Sequence, residues 1–169
     1  MKECLHTFNG KYFFLGETFL DNETIQLYTD ASGSHGYGAV FGKSWFYGTW
    51  DAEWRDINIT VKELYPIVLA VEVWGKRMAN SCICFQCDNE ALVYVNKQSS
   101  KESNIIFLIR KLVLLSLNFN ILYKSEHIPG KKNVLSDALS HLQIQKFLHM
   151  IPEAEKVPTS VPLLPQLPN

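Results

Sequence analysis

With 169 residues, 47% of them hydrophobic and 20% charged, the chain has material for one domain with a sizeable core. A formal net charge of −1 excludes a strongly basic nucleic-acid coat, so any phosphate binding must come from local Lys/Arg clusters or from metal ions. The most apolar window, Ile105 to Leu117, is short and interrupted by Arg110 and Lys111, and Met1-Lys2-Glu3-Cys4 opens no signal peptide. A soluble intracellular protein with no membrane partner is expected.

Residues 1–24 form a weakly patterned lead-in with turn signals at Asn9-Gly10 and Asp21-Asn22. Ile25 to Asp30 then alternates as a strand that ends in an acid, followed by the small residues Ala31-Ser32. The run Gly33-Ser34-His35-Gly36-Tyr37-Gly38 has three glycines, but no Gly-Lys-Ser/Thr follows, so it reads as turn chemistry rather than a phosphate loop. Tyr37–Phe41 and Ser44–Thr49 read as two further strands of a meander, joined by a tight turn at Gly42-Lys43.

Asp56 to Thr60 offers caps for a helix with Leu64, Ile67, Val68, Val71 and Trp74 at helical spacing, closing in Lys76-Arg77. Pro66 inside it removes a backbone donor, which predicts a kink or a start close by. Ser81 to Cys87 is an apolar strand leading into Asp88-Asn89-Glu90, and a short helix over 91–96 follows. After a Lys97–Lys101 loop come a long apolar helix from about Ser103 to Leu117 and a last strand over 121–126. A loop, His127 to Lys132, leads to a final helix capped by Asn133 and reaching about His149. From 151 the chain is Pro-rich, with five of the seven prolines from Pro152 onward, and reads as a linker or disordered tail. The order β-β-β-α-β-α-α-β-α indicates an α/β domain over 25–150 with a mixed sheet.

Cys82, Cys84 and Cys87 are close enough to suggest zinc, yet Cys87 falls on the opposite strand face and no second ligand cluster follows, so buried thiols are the better reading. The acids form a more telling set. Asp30 and Asp88 end two strands which, side by side and parallel, would open a crevice at their C-terminal ends. Glu63 lies in line with Ile67, Ala70 and Trp74, although its position three after Thr60 also fits a capping box. Asp137 sits early in the last helix beside Val134 and Ala138. Taken singly, each is an ordinary turn, cap or first-turn acid. Gathered in one crevice they would repel unless cations sat between them, and carboxylates with water and phosphate oxygens are what Mg²⁺ binds.

Thr29-Asp30-Ala31-Ser32, Lys62-Glu63-Leu64, Cys87-Asp88-Asn89 and His127-Ile128-Pro129-Gly130, with Asn133 and Ser136-Asp137-Ala138-Leu139-Ser140, resemble the successive motifs of a type 1 ribonuclease H domain. The form is the one found beside the reverse transcriptase of retroelements, closest to DIRS-like elements. The resemblance runs from about Gln26 to His149. It implies a ribonuclease H-like fold, a five-stranded mixed sheet with three antiparallel strands and then parallel ones, flanked by helices. It implies Asp30, Glu63, Asp88 and Asp137 as ligands of two Mg²⁺ ions, with Mn²⁺ an alternative, and His127 as the loop histidine that assists proton transfer or product release. The implied substrate is an RNA–DNA hybrid. Backbone groups near Ser32, Gly33 and Ser34 and the side chain of Asn89 would meet 2′-hydroxyls, and Lys97, Lys101, Lys131 and Lys132 would meet phosphates.

Residues 1–24 would then be the remnant of a connection to a polymerase region. Two positions depart from the pattern: Ser136 stands where Ala is usual, and His141 replaces a usual Arg, removing a fixed charge that would grip substrate. No Tyr-x-Asp-Asp polymerase motif occurs. A non-cleaving nucleic-acid-binding remnant, another nuclease of the same architecture acting on DNA, and an interaction role for the Pro-rich end stay open as rivals.

Overall fold

Alternating apolar residues and a glycine turn build the first sheet. The computed structural model describes residues 25, 27–87, 97, 100–127, 129 and 133–168. Strands β1 (Leu27–Ala31), β2 (Gly36–Phe41) and β3 (Ser44–Thr49) pair antiparallel in that order, with Asp30 opposite Gly38 and Val40 opposite Trp45. Gly42 turns β2 into β3 at φ 60°, a left-handed conformation that costs a residue without Cβ nothing in sterics.

Helix α1 (Ile59–Trp74) starts at Asn58, whose side chain accepts the Thr60 amide at 2.8 Å. Asn58 is therefore the cap, and the capping-box alternative for Glu63 does not hold. The helix begins well before Pro66 and runs through it, rather than starting at the proline. It is apolar nearly all round because it is covered nearly all round, by β1 and β2 and by α2 (Ser103–Phe119). A 3₁₀ turn over Gly75–Arg77 leads to β4 (Cys82–Cys87). After α2, Asn120 takes φ 54° and returns its amide to the Leu117 and Ser116 carbonyls. The chain then enters β5 (Leu122–His127), parallel to β4 from Cys82 opposite Leu122 to Cys87 opposite His127.

Five strands thus form a three-stranded antiparallel ladder and a parallel pair, with β1 against β4. One apolar core unites them through Leu27, Phe46, Leu64, Ile67, Trp74, Ile83, Leu108 and Leu112. Cys84 is buried within β4 and Cys82 half-buried. No helix among the described residues is long and apolar enough to cross a membrane.

Two expectations are corrected. The last helix does not run unbroken to His149. α3 (Val134–Ser140) ends, Leu142 takes φ 59°, and α4 (Ile144–Met150) starts in a new direction. The Leu142 amide bonds to Leu139 O and the Gln143 amide to Ala138 O, closing the carbonyls of the broken end. A left-handed Leu costs about 1–2 kcal/mol. The break is offset by the packing of Phe147, which is fully buried 5.1 Å from Trp45 and clusters with Val40, Ala138 and Leu139.

The Pro-rich end is not a free tail either. Glu155 N bonds to Lys43 O and Thr159 N to Trp45 O, while Trp45 Nε1 donates to Glu155 O and Ser44 Oγ to Glu155 Oε1, both at 2.8 Å. Farther on, Trp54 Nε1 donates to Pro165 O at 3.3 Å, and Val161, Leu164 and Leu167 pack on the main core. Apolar contacts every third residue match the three-residue repeat of a polyproline II helix. The segment covers the outer edge of β3, and composition gives way to fit.

Candidate active site

The site grows from the register of β1 and β2. Gly38 lies opposite Asp30, and a Cβ there would run into Leu139, so the missing side chain lets α3 lie directly on the sheet. Asn133 fixes the approach. It precedes α3 as its N-cap but makes no side-chain cap bond there; its Nδ2 donates to Thr29 O at 3.0 Å. Ser136, fully buried, donates to Asn133 Oδ1 at 2.5 Å, so the Ser at this position adds a bond that Ala cannot make. Ser140 completes the docking, with Oγ 2.5 Å from Asp30 Oδ2 and 3.0 Å from Asp137 O.

Asp30 is therefore 8% exposed, held by a hydroxyl from α3, and Asp137 faces it from the same helix. Asp30, Asp137 and His141 each offer one ligand atom, all within 4.8 Å of one another. The His141 Nδ1 lies 3.0 Å from Asp137 O and 3.5 Å from Asp137 Oδ1. Two carboxylates at that separation favour a proton or a cation between them. Oxygen donors from two rigid elements with an imidazole beside them are a donor set that fits a divalent ion.

Glu63 is 6% exposed in the first turns of α1 and is not part of this three-residue group. Its neighbour Lys62 ties α1 to the site loop. The buried ammonium donates to Gly33 O at 2.6 Å and Arg55 O at 2.8 Å and lies 5.6 Å from the centroid of the Trp50 ring. Burial pushes its pKa down, and the charge of Asp56 opposes that shift in part.

The loop between β1 and β2 is built rather than open. Ser32 Oγ accepts the amides of Ser34 and His35, and Ser32 O takes the Trp50 Nε1 proton at 2.7 Å. The carbonyls of Ser32 and Gly33 are thus engaged within the protein, while Gly33 and Ser34 are exposed at the surface. His35 Nδ1 is 3.1 Å from both Ser32 Oγ and Ser34 Oγ, and its ring centroid lies 5.5 Å from that of His141. Lys97 and Lys101 are exposed. His127 ends β5 opposite Cys87, the residue before Asp88, which places its backbone at the end of the parallel pair. Its side chain, together with Asp88, Asn89, Lys131, Lys132, the helix expected over 91–96 and residues 1–24, lies outside the described residues.

The structure thus brings Asp30 and Asp137 together. It turns His141, read from the sequence only as the loss of a charge near the site, into a donor beside the acids, and adds three groups the sequence reading did not assign there: Ser140 on Asp30, His35 against His141, and Lys62 under the loop. The i,i+4 spacing of Asp137 and His141 was a usable signal; the other three depend on partners distant in the chain or on loop conformation.

No protein-family model matches the chain, and no curated protein matches it. Among solved structures, the chain is similar to LC11-RNase H1, whose structure holds an RNA/DNA hybrid. The TM-score is 0.54 and the identity 22%, covering 72% of this chain and 97% of that one. It also aligns with RNase H1 from Halobacterium salinarum (TM-score 0.49, 16% identity, 70% of this chain and 95% of that one). A third alignment is with the N-terminal ribonuclease H domain of a Mycobacterium tuberculosis protein (TM-score 0.49, 16% identity, 73% and 94%). The fold is that of a ribonuclease H.

Proposed function

We propose that the protein is a metal-dependent endonuclease that hydrolyses the RNA strand of RNA–DNA hybrids. The observation that carries this reading is the meeting of Asp30 and Asp137, one at the end of β1 and one on α3, on a ribonuclease H fold. The hybrid bound to LC11-RNase H1 supports the substrate class. We further infer from the motifs that the domain derives from a retroelement polyprotein with a reverse transcriptase region, and that 1–24 is the remnant of that connection.

Asp30 and Asp137 would hold one divalent ion, with Glu63 and Asp88 completing a two-ion set by their motifs; Mg²⁺ is the expected ion and Mn²⁺ the alternative. Such ions, when bound, activate a water and stabilise the leaving oxygen. Ser140 keeps Asp30 in one rotamer by occupying Oδ2, which removes a reorganisation step from ion binding. His127 is assigned proton transfer or product release. The Ser32–Ser34 loop, held by Lys62 and Trp50, and Asn89 are assigned to 2′-hydroxyls, and Lys97, Lys101, Lys131 and Lys132 to phosphates. Few basic contacts predict modest affinity that falls with salt.

A cleavage assay on a hybrid labelled in its RNA strand tests this against duplex DNA, duplex RNA and single strands, with Mg²⁺, with chelator, and with Asp88→Asn. Cutting of the hybrid's RNA alone, lost with chelator and variant, is the expected result. Cutting of DNA would reassign the domain to another nuclease of this architecture. Hybrid binding without cutting by folded protein would make it a non-catalytic remnant.

A further inference from the structure

His141 follows Asp137 by one helical turn, at a position where the resemblance to retroelement ribonuclease H domains implies Arg, and its place in the structure gives the residue a chemical meaning. We propose that His141 is itself a metal ligand, a nitrogen donor beside Asp30 and Asp137 that tunes the site toward a first-row transition ion over magnesium. The proposal rests on the metal-dependent reading above and deepens it.

The geometry makes this a built position. His141 caps the C-terminus of α3, with its amide bonded to Asp137 O, so ring and carboxylate issue from adjacent turns of one rigid helix. Its Nδ1 lies 3.2 Å from Ser140 Oγ, the same hydroxyl that holds Asp30 Oδ2. One serine thus relates both the acid on β1 and the imidazole to α3. His35 packs on the ring at 5.5 Å and 42°, and is itself within reach of the hydroxyls of Ser32 and Ser34. The side chains of His141 and Asp137 are 40% and 52% exposed, which leaves room for water and substrate oxygens at the outer face.

An i,i+4 ion pair alone would also place His141 near Asp137. It would not bring the ring within 4.8 Å of the Asp30 carboxylate, on another element, as the structure does. Magnesium selects hard oxygen donors and takes imidazole poorly, whereas later divalent ions accept both. A neutral imidazole here offers a donor without the permanent charge of an Arg, which would compete with an ion for the carboxylates.

Manganese(II) is the probe, because it is paramagnetic and reports its own ligands. The full-length protein is titrated with Mn²⁺, bound ion is counted by electron paramagnetic resonance, and ¹⁴N coupling is read by spin-echo modulation. Imidazole coupling is expected in the native protein, exchanged for ¹⁵N coupling on histidine labelling. His141→Ala should still bind Mn²⁺, but weaker by about tenfold or more, with the coupling gone and the Mn²⁺ over Mg²⁺ preference reduced. His35→Ala should retain it. Mn²⁺ that binds, is lost with Asp137→Asn and shows no nitrogen coupling would overturn the role of His141 while leaving the metal site standing. Coupling that survives His141→Ala, or moves with His35→Ala, also overturns it. Failure of the native protein to bind Mn²⁺ would remove both the site and the ligand.

Discussion

Asp30 on β1 and Trp45 on β3 flank the same central strand, and both are nearly inaccessible, at 8% and 2% exposure. They are buried for opposite reasons. Trp45 removes a large apolar surface from water, stacks with Tyr47, packs on Phe147 and places its Nε1 on Glu155 O. Asp30 places a carboxyl group where water is nearly excluded, and is held by Ser140 with Asp137 nearby. The β3 side of the sheet is where stability is gained; the β1 side is where some is given up to preorganise a site.

The comparison makes the sharpest prediction at the acids. Asp137→Asn should cut hybrid cleavage on the order of a thousandfold, since an ion site is worth several kcal/mol of transition-state stabilisation, while leaving thermal stability unchanged or higher. Cleavage rates and melting curves of one preparation check both halves. Phe46→Ala is the converse. Phe46 is fully buried 4.9 Å from Trp74, so its loss should cost about 3–5 kcal/mol in denaturant unfolding.

Gly38→Ala should break the separation between the regions, because the new Cβ pushes on Leu139 and so on the helix carrying Asp137. Overpacking of this kind costs about 1–3 kcal/mol, and here activity should fall with it. Trp54→Phe removes the bond to Pro165 O and should cost about 1 kcal/mol, read as faster proteolysis of the C-terminal segment with cleavage activity intact.

The smallest effect lies at high pH. Burial raises the pKa of Tyr37, Tyr65 and Tyr123, the last to about 12, with Tyr37 adding to the shift of Tyr65. A folded pKa above the ordinary 10.0 means that the stability from the neutral phenols is complete below pH 10 and is lost as pH climbs through the raised values. Ultraviolet titration should show these three of the seven tyrosines ionising late in the native protein and normally in denaturant.

What the sequence disclosed follows the range of the interactions. The meander was legible because alternation and a Gly-Lys turn are local, and the roles proposed for Asp30 and Asp137 rest on the motif-bearing segments that hold them. Ser140 on Asp30 spans 110 residues and Asn133 on Thr29 spans 104, and neither leaves a local trace. The break at Leu142 was hidden because a left-handed Leu violates the preference that a sequence reading relies on, and the burial of Phe147 offsets it. The Pro-rich segment was read by composition, although Val161, Leu164 and Leu167 recur every third residue, a period that a search for 2.0 and 3.6 passes over.

That segment also sets a timetable. Its bonds to β3 and Trp54 span 110 and 111 residues, so the edge of the sheet is finished long after β3 itself is made. Until 155–165 have left the ribosome, β3 presents unpaired main-chain groups and uncovered tryptophans, the surface on which nascent chains pair with the wrong neighbour. The closing strap makes folding of the domain wait for its last segment, and the exposed interval is the one in which a chaperone would matter most.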